Sequence, residues 1–301
     1  MGWESNEKQA YHVSLITIIG NIILSAFKLF AGIFANSAAM VSDAVHSASD
    51  VFSTFIVIIG IKISAKESDK EHPYGHERYE CAVAIILAVI LAATGIGIGY
   101  SGVRSIITGN YAHMAVPGIL ALIAAVISII SKEGMYWYTR AAAKHINSGA
   151  LMADAWHHRS DAMSSIGSLL GILGARLGFP LLDSIACLII CIFILKAALS
   201  IFIDSIKKMT DTACDDSLIE SIHETILRQD GVICIDCLRT RLFGNKVYID
   251  VDIGTNGNVT LYEGHAVAEK VHDEIETLYP EVKHCMVHMN PCEGKVPVVK
   301  C

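Results

Sequence analysis

Between Cys81 and Val103 the chain carries no Asp, Glu, Lys or Arg. About 20 apolar residues wound as a helix cross the roughly 30 Å of hydrocarbon in a bilayer, so this run predicts a membrane span. Five further apolar stretches of similar length, read against their polar interruptions, give six helices near 11–34, 38–64, 80–107, 115–139, 148–176 and 179–207. A mean hydropathy of +0.49 with 18% charged residues agrees with most of the chain facing lipid. Residues 1–11 are polar and do not read as a cleaved signal.

The connections after the second, fourth and sixth helices carry Lys66, Lys70, Arg78, Arg140, Lys144, Lys207 and Lys208, whereas the others hold few cations. The positive-inside rule then puts both termini in the cytoplasm and predicts a multi-pass protein of the cell (inner) membrane. The domain boundary falls at 208: residues 1–208 form the membrane domain and 209–301 a soluble tail. In the tail, an amphipathic helix over 217–229, strands over 232–242 and 246–255, a helix over 261–279 and a strand over 283–289 make an α-β-β-α-β unit, an α+β domain with helices on one face of a sheet. Such a unit is marginal alone, and self-association would stabilise it. The net charge of -7 and the lack of a basic stripe exclude nucleic acid as a partner. Nine cysteines at irregular spacings fit free thiols better than a disulfide framework. Strand alternation would split Cys234 and Cys237 across two faces.

An internal repeat carries the chemistry. From Asp43 the chain reads DAVHSASDVFS and from Asp154 it reads DAWHHRSDAMS, so two helices bear one polar stripe. His46 with Asp50, and His157 with Asp161, are four residues apart, hence one turn apart on a single helix face. An acidic side chain inside a span costs at least about 2.5–3.5 kcal/mol on insertion scales, and a shared cation offsets it. Two imidazoles and two carboxylates make a tetrahedral N2O2 set suited to Zn2+; Mn2+ takes oxygen-rich octahedral sites more naturally. Fe2+, Co2+ and Cd2+ remain open at this point. Polar side chains that merely glue membrane helices together are the plainer explanation, and the duplication argues against it. Asp43 and Asp154 continue the stripe by one turn, either orienting the ligands from behind or standing in water at a helix mouth. Lys28, Lys132 and Lys196 read as lysines near helix ends or able to snorkel. Gly95, Gly97 and Gly99 read as helix packing.

These motifs resemble the cation diffusion facilitator family of metal and proton antiporters, over nearly the whole chain. The resemblance implies an all-α six-helix transmembrane domain, a ferredoxin-like, metallochaperone-like cytoplasmic domain and a homodimer, with the second and fifth helices holding the transported ion. His46 matches the zinc-selective pattern, since manganese-type members tend to carry Asn there. In the loop SDKEHPYGHERYE, Asp69, His72 and His76 match a second metal site, DxxHxxGH. Arg78 and Asp211 fall where the family pairs loop and tail by a salt bridge. Aligned by LRTR at 238–241 and VHMNP at 287–291, Asp252, His265 and His288 occupy metal positions of the tail, with Asp236 where some members have His and with Cys285 or Cys292 as further donors. His272 and His284 read as surface residues. The family's cycle is alternating access with protons exchanged for metal, which suits imidazoles whose unperturbed pKa is about 6.5. A membrane metalloenzyme is the second class considered, but a general base and an HExxH signature are lacking. A membrane metal sensor that carries no flux is the third.

Overall fold

With no water in hydrocarbon to take up backbone N–H and C=O groups, an apolar chain satisfies them within each helix. The computed structural model describes residues 2–34, 38–109, 119–176 and 181–292; inside the helices some side chains, those of 41–49 among them, lie outside the description. Its first compact unit, Met1–Ser205, is built on α1 (Gly2–Phe34), α2 (Ala38–Ser64), α3 (Arg78–Thr108), α4 (Ile119–His145), α5 (Gly149–Arg176) and α6 (Leu181–Met209, whose last turn enters the second unit). Among the described residues, Lys8–Ala31, Arg78–Thr108 and Leu188–Met209 are long and apolar enough to cross a membrane by composition alone. Ser53–Ser64 of α2 is a further, shorter apolar stretch.

Among the described residues, polar side chains of α2 and α4 lie on inward faces. On α2, Asp50, Thr54, Val57 and Ile61 are buried at helical spacing, and on α4 so are Ser128, Lys132, Tyr136 and Thr139. The α4–α5 turn is set locally: Asn147 adopts φ 54°, a left-handed conformation that Asn tolerates, and Ser148 Oγ accepts the Leu151 amide at 3.1 Å as an N-cap. From there α5 packs against α2, α3 and α4. Gly95 and Gly99 of α3 lie against Ile194 and Cys191 of α6, where a Cβ would collide, while Gly97 faces open space. Close packing therefore accounts for two of the three glycines.

The second unit, Ile206–Cys301, holds α7 (Asp216–Leu227), β1 (Cys234–Phe243), β2 (Lys246–Asn256), α8 (Leu261–Leu278) and β3 (Val282–Cys292). The sheet order is β1-β2-β3, with β1 and β2 antiparallel and β2 and β3 parallel across α8. Ile222 and Ile226 of α7 and Val271 and Ile275 of α8 pack with Ile235, Ile249, Val251, Ile253 and Cys285 of the strands in one core. Thr260 and Glu263 close a capping box that starts α8.

A bulge between Ile235 and Cys237 overturns the alternation argument for the cysteine pair. Cys234 stands opposite Gly254 and Cys237 opposite Asp252, two residues apart on β2, so both cysteines share a face. Cys237 is in a disulfide, so the expectation of free thiols fails there.

Candidate metal centre

Because α2, α4 and α5 all turn polar side chains inward, charged groups meet in a buried place. His157 Nε2 lies 3.3 Å from Asp50 Oδ1, joining α5 to α2. Asp50, His157 and Asp161 are all buried, and each offers a ligand atom within 4.8 Å of the others. His46 precedes Asp50 by one turn of α2, and its side chain, like that of Asp43, lies outside the described residues.

A lysine completes the cluster. Lys132 of α4 donates to Asp161 Oδ2 at 2.9 Å and to Asp50 Oδ2. It is 1% exposed, so the snorkelling expectation is wrong for it: α4 packs against α5 and the lysine side chain bridges the two carboxylates, and burying an ammonium is tolerable only when it is paired. Lys28 is likewise buried, at 2% exposure, rather than reaching for an interface. A lysine within an apolar helix gives no local signal that distinguishes the two fates.

Asp154 does not stand in water. It is fully buried, and Thr54 of α2 donates to its Oδ1 at 3.0 Å, a second tie between the repeat-bearing helices. His158 Nε2 lies 3.6 Å from its other oxygen, also at zero exposure. Neither Thr54 nor His158 was singled out by the repeat. Arg159 faces α4, donating to the Tyr136 hydroxyl at 2.7 Å and lying over its ring at 4.4 Å.

The connection from α2 to α3 gathers Asp69, His72 and His76, whose ligand atoms also lie within 4.8 Å of one another. Asp69 Oδ1 accepts the backbone amides of Glu71 at 3.0 Å and His72 at 2.8 Å, while Lys66 Nζ sits 2.6 Å from Oδ2. Those donors, Lys66 first and then the His72 amide, hold the Asp69 carboxyl well below the usual carboxylate range. His72 Nδ1 and His76 Nε2 each stand 3.5 Å from an Asp69 oxygen. Gly75 adopts φ 99°, which explains the glycine in DxxHxxGH: the chain must reverse there for His76 to return to Asp69.

The tail positions do not converge in the same way. Asp252 and His288 are register partners on β2 and β3. His265 is exposed on α8 and pairs with Glu269 at 3.3 Å. Among the described residues, no compact group of three potential ligands contains any of them. Cys285 points into the core, and burial pushes its thiol up to about 12, ahead of smaller contributions from Glu276 and Asp250. Asp236 is held by Asn290, which donates to it at 2.8 Å. Arg78 opens α3 in the first unit, and Asp211 of the second has φ 57°.

Residues 14–210 match the cation efflux transmembrane domain, and residues 214–292 match the cation efflux protein cytoplasmic domain. The chain belongs to the cation efflux family. It is therefore a divalent metal cation efflux transporter of the membrane, with a cytoplasmic dimerisation domain. It is 36% identical over 301 residues to the metal tolerance protein C1 of Arabidopsis thaliana, covering 96% of this chain and 63% of that protein. The manganese efflux system protein MneP of Bacillus subtilis is 33% identical over 292 residues, with 95% of this chain and 97% of that one covered. The uncharacterized transporter MJ0449 of Methanocaldococcus jannaschii is 33% identical over 276 residues, covering 92% and 96%.

Proposed function

We propose that this transporter exports Zn2+ from the cytoplasm in exchange for protons, by alternating access at His46, Asp50, His157 and Asp161. The observation that carries this reading is the buried meeting of Asp50 from α2 with His157 and Asp161 from α5. Two carboxylates in so dry a place need a cation, and Lys132 provides one when no metal is bound. An arriving dication takes over the carboxylates, and Nζ must give way to it. Imidazole ligates only when neutral, so protons from an acidic exit side loosen the metal at His46 and His157.

The loop ligands Asp69, His72 and His76 are read as a second, accessory metal site, and Asp43 and Asp154 as groups that orient the transport ligands. Asp252 and His288 are a pair of tail donors within one protomer. Asp211 and Arg78 are read as the bridge between tail and loop in a homodimer of the inner membrane, with both termini cytoplasmic; charge reversal at Asp211 that leaves dimer and transport intact would count against that bridge.

A second reading, Mn2+ or Fe2+ as cargo, is favoured by a separate observation. Two relatives, at 33% and 30% identity, carry the name manganese efflux system protein, and two of the three described ligands are carboxylates, which suit Mn2+. Proteoliposomes loaded with a metal-responsive dye decide between the cargoes when challenged with zinc, manganese, iron, cobalt and cadmium in turn. Zinc flux that rises with an imposed pH gradient supports the first reading. Manganese flux without zinc flux replaces it, and no flux with any ion leaves a membrane sensor.

A further inference from the structure

His272 and His284, which the sequence places at the surface, form a compact cluster with Glu276 on the tail. His272 and Glu276 are one turn apart on α8, and His284 reaches them from β3, with ligand atoms of all three within 4.8 Å of one another. His272 Nε2 is 3.3 Å from Glu276 Oε1, and His284 Nδ1 is 3.2 Å from the same oxygen. The edge of a tetrahedron with metal–ligand bonds of about 2.0–2.1 Å is about 3.3–3.4 Å long, so two of three ligand separations already have the required length. The His284 imidazole is 47% exposed, and the third separation, to His272, is within 4.8 Å.

Surrounding contacts fix the ligands as a metal site requires. His272 Nδ1 lies 2.7 Å from the Cys285 carbonyl, an acceptor only, so Nδ1 carries the proton and donates it. In the neutral ring that leaves the Nε2 lone pair aimed at a carboxylate oxygen, two acceptors facing each other. A proton or a metal ion must stand between them, and an N–H donated to a backbone carbonyl is the arrangement that orients metal-bound histidines elsewhere. Glu276 is pinned as well, because its Oε1 accepts the Cys285 amide at 3.0 Å. One β-strand residue thus anchors two of the ligands through its backbone. The His272 and His284 rings meet edge-on, 5.4 Å between centroids.

We propose that His272, Glu276 and His284 bind a divalent transition-metal ion in each tail, separate from the transport cluster, the loop cluster and the Asp252–His288 pair. Two imidazoles and one carboxylate with a fourth position open to water are a zinc-type donor set, which also takes Co2+. The ion would staple α8 to β3, adding to the core contacts and the two hydrogen bonds to the Cys285 backbone, and so make the stability of the tail respond to metal.

The test uses the full-length protein in nanodiscs, stripped with chelator and carrying Asp161→Ala and His76→Ala to weaken the other two clusters. Zn2+ bound per protomer is counted by equilibrium dialysis, and the visible absorption of bound Co2+ is recorded in parallel. His284→Ala and Glu276→Gln are each expected to remove one equivalent of Zn2+ and the Co2+ absorption of a four-coordinate site, with circular dichroism unchanged. His265→Ala is expected to remove neither. An undiminished zinc count in both His284→Ala and Glu276→Gln would overturn the proposal, leaving a hydrogen-bonded triad only. Loss of the equivalent in His265→Ala alone would overturn it too, by assigning the ion elsewhere on the tail. Because the readout is binding, it stands or falls independently of which ion the membrane domain carries.

Discussion

The intramembrane cluster and the loop cluster use the same materials in opposite surroundings. Each has Asp and His ligands, and in each a lysine ammonium lies against an Asp: Lys132 on Asp50 and Asp161, Lys66 on Asp69. Lys132 is 1% exposed and Lys66 60%. In the buried case the lysine answers a desolvation cost of several kcal/mol per ion. In the exposed case water answers most of it, and the pair contributes little. Order comes from different sources too. Helix packing converges the buried ligands from α2 and α5 with the lysine of α4, whereas the loop ligands come from one eight-residue stretch organised by backbone amides and the Gly75 reversal.

The largest expected effect tests whether burial makes the membrane cluster the transport site. Asp161→Ala should reduce metal flux in proteoliposomes to that of protein-free vesicles; flux near wild type would break the comparison outright. Next, Lys132→Met keeps the length of the side chain and removes its charge, leaving two buried carboxylates without their ammonium. It should destabilise the metal-free protein by about 3–5 kcal/mol, and added Zn2+ should restore more melting temperature than it adds to wild type. A melting curve indifferent to the substitution would show that the carboxylates do not need Lys132.

Smaller effects are expected in the loop. Gly75→Ala forces a Cβ into a left-handed conformation and should cost about 1 kcal/mol or more, read as weakened zinc binding at the loop with transport retained. Unchanged loop binding would remove the backbone from the account. The smallest effect belongs to Lys66→Ala, for which only a slight fall in melting at neutral pH is expected. Its signature is the Asp69 carboxyl, which should move back toward its ordinary range in an NMR titration. The sign follows from the depressed value: Asp69's stabilisation is present above the ordinary carboxylate pKa and is lost as pH falls through the folded one, and Lys66→Ala should shrink it. A large melting loss would mean the loop lysine acts like the buried one.

How much was legible beforehand follows the range of each signal. Helix and strand existence, the α-β-β-α-β order of the tail and the doubled HxxxD all sit in short windows where period and composition act directly. The DxxHxxGH loop was readable because a single turn organises it. Lys132 was not, since the apolar run around it looks the same whether its ammonium reaches an interface or a pair of carboxylates on other helices. His272 and His284 come from a helix and a strand with no shared motif. The bulge in β1 turned Cys234 and Cys237 to one face against a strict alternation that the sequence alone supports.

By itself, then, the sequence determined which helices carry ligands and which faces those ligands occupy, because a helix repeats every 3.6 residues wherever it stands. Only the tertiary structure decided which ligands share an ion-sized space and which lysine stands beside them. Those distances depend on how α4 and α5, or α8 and β3, pack across the core, and packing is set by side chains far apart in the chain.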